Sequence, residues 1–172
     1  MQQGLASSDE LTFQQANQVA EEMCTPTREI HFARVRAAPV TSFSWHQLMQ
    51  QTREDQIDEV IAFAESALPL GRIATGSAEE NGLGPRFELH RALGWLLQEL
   101  KRLPGHGWNL IRVGLRSPVV SNRVMAVRAL AAWPTETWPP DALGLLSAAR
   151  ENEPHAETRE NLKALLRRRT GN

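Results

Sequence analysis

Thr75, Glu79, Glu80, Arg86 and His90 fall between a glycine-rich stretch and a strongly helical segment. Carboxylates beside an imidazole offer donors to a metal ion, and an arginine offers a cation to an anionic ligand. These five residues form the candidate ligand-binding set. The same residue types at a helix entry also serve as caps and solvated loop positions. No catalytic residue is assigned, and neither a metal nor any other cofactor is expected.

Other chemistries lack their parts. "GRIATGS" at 71–77 has the glycine spacing of a phosphate loop without its lysine, so phosphate charge would go unmet. No dinucleotide-type GxGxxG follows a strand pattern, and no GxSxG elbow occurs. His31, His46, His90, His106 and His155 are dispersed, with no HExxH and no two-histidine, one-carboxylate spacing. Cys24 is the single cysteine, so an intrachain disulfide is excluded, and a buried apolar contact is its expected role.

The elements that must position these residues are helices. A chain of 172 residues suits one domain with a real core. No apolar run reaches the roughly 18 residues of a membrane span. "MQQGLASSDELTFQQ" has neither the basic nor the apolar region of a signal peptide, so a cytoplasmic protein is expected.

Three segments follow. Residues 1–69 form an N-terminal helical part. Within it Ser7 and Glu10 suggest a capping box, and 25–43 reads as irregular, with "EIHFARVR" extended. Ile57, Val60, Ile61, Ala64 and Leu68 mark one helical stripe. Residues 70–86 form a long loop, functional, mobile or folded onto a neighbour. Residues 87–172 are helical throughout, with Pro118 and Pro154 read as the first residues of helices.

Internal periodicity is the most specific signal. A shift of 36 residues superposes Pro118 on Pro154, Arg123 on Arg159 and Leu130 on Leu166. Each unit reads as two short antiparallel helices that must stack on neighbours to bury both faces. "LIRVGLRSPVVSNRVMAVRAL" and "LLSAARENEPHAETRENLKALL" accordingly resemble HEAT repeats. The resemblance covers about 86–169 and implies an all-α stack of antiparallel helical hairpins, a HEAT-like superhelix with a less regular N-terminal part. It also implies structural roles for Arg123 and Arg159. "LPLGRIATG", "PGHGWNLI" and "SPVVSNRVMA" are similar to a group of uncharacterised bacterial HEAT-like proteins, some labelled limonene hydroxylase.

Trp133 and Trp138, in "AAWPTETWPP", are expected as buried punctuation between helix pairs, on Leu130 and on Leu143 or Leu146. The function expected is a non-catalytic scaffold for a protein partner, with homo-oligomerisation open and no membrane contact. One alternative is a small-molecule enzyme, of the type the hydroxylase label names, using the 70–90 region. Another is nucleic-acid binding by the C-terminal half. Residues 85–172 hold fourteen Lys/Arg against eight Asp/Glu, while 1–84 hold five against twelve. Arg112, Arg116, Arg123 and Arg128 would line such a surface, yet a net charge of −1 disfavours it.

Overall fold

The computed structural model describes residues 2–40 and 43–170, with the side chains of 169 and 170 excepted. Residues 41–42 of the segment 25–43, the ends of the 1–69 and 87–172 segments, and the Arg169 side chain lie outside that description. The chain is all-α, with eleven α-helices among the described residues. They are α1 (Gln2–Leu5), α2 (Glu10–Glu22), α3 (Arg28–Ala37), α4 (Ser44–Gln51), α5 (Ile57–Ala67) and α6 (Leu70–Ile73). They continue as α7 (Glu88–Leu100), α8 (Trp108–Gly114), α9 (Val120–Ala132), α10 (Ala142–Glu151) and α11 (Ala156–Thr170).

Helix α2 starts two residues after its expected box would place it. Asp9 is the N-cap, its carboxylate accepting from the Thr12 N–H at 2.8 Å, while Ser7 Oγ accepts from the Asp9 N–H. The helix ends in a Schellman turn: the Thr25 N–H reaches the Ala20 carbonyl and the Cys24 N–H reaches that of Glu21. Cys24 supplies the left-handed residue of that turn, φ 52°, and is exposed rather than buried. A residue past the last helical turn has no core to face.

The segment expected to be irregular or extended is helix α3. Its buried residues are Arg28, His31, Phe32 and Val35, a spacing of three, one and three. The apparent alternation in "EIHFARVR" is misleading because arginines pack as well as solvate. The Arg34 guanidinium lies 3.7 Å from the centroid of Phe13, and that of Arg36 lies 3.8 Å from Phe32.

His31 is sealed between α2 and α3. Its Nε2–H donates to Asn17 Oδ1 at 2.9 Å, and Phe13 meets the ring edge-on. Burial, aided by the Arg34 charge, lowers its pKa from 6.5 to about 4. Between those values the unfolded chain binds more protons than the folded one. This contribution is complete above pH 6.5 and is lost as pH falls toward 4, with a ceiling of about 3 kcal/mol. Urea unfolding of His31→Gln across that window is expected to show a flatter dependence on pH. An unchanged slope would contradict the assignment.

In the main core, Ile57, Val60, Ile61, Ala64 and Leu68 are all buried, so the stripe faces inward along its length. Helices α3, α4, α7, α9 and α11 contact one another in that order, α8 lies against both α7 and α9, and α10 lies against α11. One tie across the end of α4 is polar. Arg102, just past α7, donates to the carbonyls of Met49 and Thr52 and is paired with Glu99 at 3.0 Å.

Candidate binding groove

Pro118 and Pro154 do not occupy first helical positions. Each stands two residues ahead of its helix, before Val120 and before Ala156. In each unit the carbonyl just before the proline accepts from an arginine of the helix that follows. Arg123 Nη1 donates to the carbonyls of Ser117 and Pro118 at 2.8 and 3.0 Å, and Arg159 Nη1 donates to that of Glu153 at 3.1 Å. Ser117 and Glu153 are themselves 36 residues apart. The two units therefore repeat one contact, an arginine closing the turn six residues behind it.

Arg123 goes further. Its Nε and Nη2 form a bidentate pair with Glu153 at 2.6 and 2.7 Å, both side chains 1% exposed. Glu153 also accepts from the His155 N–H at the entry to α11. The start of α9 and the start of α11 are thereby joined through one buried ion pair. Arg123 is not available to a basic surface, and among its proposed companions only Arg128 projects from α9, since Arg112 is on α8 and Arg116 follows it.

The long loop is folded onto its neighbour. The Gly76 N–H donates to the Arg116 carbonyl at 2.9 Å, and Glu80 exchanges backbone hydrogen bonds with Pro118 and Val120 at 3.2 and 3.0 Å. Gly82, at φ 76°, passes so close that an added Cβ would stand 2.8 Å from Val119. Laid across the entry to α9, the loop closes one end of a groove between α7 and α9.

That groove has a volume of about 330 Å³. Leu83, Trp95, Met125 and Val119 give it apolar walls, and His90, Asn122, Gln98, Ser121 and Arg91 give it polar ones. Asn122 holds the two helices in register, donating to the His90 carbonyl at 3.0 Å and to Ser117 Oγ at 3.3 Å. Gly94 permits the close approach, because a Cβ there would meet Asn122 Oδ1 at 3.0 Å. His90 is 7% exposed, edge-on to Phe87, with both ring nitrogens buried and without a partner among the described residues. Burial lowers its pKa, so it stays neutral.

Of the five candidate residues, only His90 lines the groove. Glu80 and Arg86 pair with each other at 3.0 Å on the surface, while Thr75 and Glu79 are exposed on the loop. The convergent set expected from sequence is not assembled. Trp95, Met125, Leu83, Gln98 and Asn122 were not marked by any sequence motif. The one available signal was Gly94, a glycine inside a helix where it costs about 1 kcal/mol against alanine.

Beside this groove lies a second, between α9 and α11, lined by residues that include Val124, Arg128, Ala131, Glu157, Asn161 and Arg168. On α9, Ser121 and Met125 face the first groove and Val124 and Arg128 face the second. At 100° per residue these four span one sector, so both grooves open on one face with the α9 ridge between them. Among the described residues there is no group of three His, Cys, Asp or Glu placed to hold a metal, and no helix long and apolar enough to cross a membrane. Comparison with protein-family models, curated proteins and solved structures finds no match to this chain.

Proposed function

We propose that this protein is a non-catalytic, HEAT-like stack of helical hairpins that presents the α7–α9–α11 face to a protein partner in the cytoplasm. What carries the reading is the α9 ridge, with a groove on either side of it. Ser121 and Arg128 stand exposed there, and Met125 is half-buried. Such a face suits a partner segment that straddles a helix and inserts side chains on both sides. The repeated arginine contact at 36-residue spacing supports the stacking half of the proposal.

Substitution on the ridge tests it. Ser121→Glu with Arg128→Glu is expected to leave thermal stability close to wild type, because both positions are exposed and surface changes usually fall within about 0.5 kcal/mol. The same pair is expected to abolish recovery of the copurifying partner, whereas Arg112→Glu on α8 leaves it intact. Equal recovery by both variants would refute the ridge as the binding surface.

A further inference from the structure

The geometry points to the α7/α9 groove as a binding site for a small apolar carboxylate, its ring system against Trp95 and Met125 and its charge at Arg91. This inference stands apart from the partner reading, since it needs only the groove.

Volume bounds the ligand first. About 330 Å³ lies at the lower end of small-molecule sites and admits one fused ring system rather than a nucleotide cofactor. Charge comes next. Among the described residues Arg91 is the sole charged one lining the groove, and no carboxylate lines it. Arg91 is held at the rim by the Gly84 carbonyl, 2.9 Å from Nη1, with Glu88 at 3.8 Å. A guanidinium has five N–H donors, so these contacts leave others for a carboxylate, which it binds in bidentate fashion. A cationic ligand would find no counter-charge.

His90 supplies the independent sign of a ligand. A neutral imidazole carries one donor and one acceptor, and here both are buried in the groove wall with no partner among the described residues. A ligand oxygen would accept from its N–H once the ring turns about its Cβ–Cγ bond toward the groove. The apolar walls exclude water from that contact and strengthen it.

Titration calorimetry with three naphthalene probes tests the site on the full chain. Naphthoate is expected to bind saturably at one site, with neutral naphthylmethanol weaker and cationic naphthylmethylamine weakest. Arg91→Gln should weaken naphthoate about tenfold. Ser121→Trp, at an exposed position on the groove rim, should abolish binding without unfolding the chain. Naphthoate should also shift the His90 imidazole nitrogen resonances. Absence of saturable naphthoate binding, equal binding of the amine, or binding untouched by Ser121→Trp would each overturn the proposal.

Discussion

Arg123→Ala is expected to destabilise the protein by about 3–5 kcal/mol, because it leaves the Glu153 carboxylate charged and buried without its partner. It also strips the Ser117 carbonyl of the arginine donor and leaves that of Pro118 with the Glu80 N–H alone. Urea unfolding measures the loss, and the exposed pair Arg150–Glu151 is the control. Breaking that surface pair should cost less than about 1 kcal/mol. The contrast follows from solvent, since Arg123 and Glu153 are 1% exposed while the control pair is well hydrated. Arg123→Lys is expected to restore little. A lysine keeps the charge but has no planar fork to span both carboxylate oxygens and the two carbonyls. A loss near that of the surface pair would show that the start of α9 and the start of α11 are held together by other contacts.

Trp133→Ala is the second large effect, again about 3–5 kcal/mol. The ring is buried at the end of α9, and its Nε1–H donates to the Leu100 carbonyl at 2.7 Å, one of the last of α7. Truncation therefore opens a cavity and removes one of the two donors to that carbonyl, which keeps the Leu103 N–H at 3.1 Å. Trp133→Phe separates the two parts, since it retains most of the packing and loses only the hydrogen bond, about 0.5–1.5 kcal/mol. Trp138 departs from its expected role. It is only half-buried, its Nε1 has no partner among the described residues, and Leu143 is exposed. Trp138→Ala should cost about 1–2 kcal/mol, less than Trp133→Ala, because less apolar area leaves water. Thermal unfolding of the two variants side by side ranks them, and equal losses would contradict the difference in burial.

Where hydrophobic period and burial coincide, as on α5, the helices were legible in the chain. They were illegible where side chains hide their burial behind charge. In α3 the buried set includes Arg28 and His31, and Arg34 and Arg36 lie on aromatic rings, so a polarity pattern misses the helical face. The repeat was visible as Pro118/Pro154 and Arg123/Arg159, but not the partner that gives Arg123 its burial. Glu153 reads as an ordinary surface residue until α11 packs against α9.

The groove was the least legible feature. Its walls come from three separated stretches, the loop at 81–83, α7 at 90–98 and α9 with its entry at 119–125. No spacing rule links them. His90 lies in the wall of an apolar groove, away from the Glu80–Arg86 pair with which it was grouped. Thr75 and Glu79 were marked because polar residues in a long loop resemble a site. The loop is instead explained by its backbone, which is hydrogen-bonded to Arg116, Pro118 and Val120.

The central claim is that the α9 ridge meets a protein partner. A photo-crosslinking amino acid at Ser121, compared in the cell with the same residue at Arg112 on α8, tests it most directly. The account predicts one discrete crosslinked partner from position 121, lost when Arg128→Glu is added, and none from position 112. Crosslinks of equal yield from both positions, or none from 121 with the folded protein present, would contradict it.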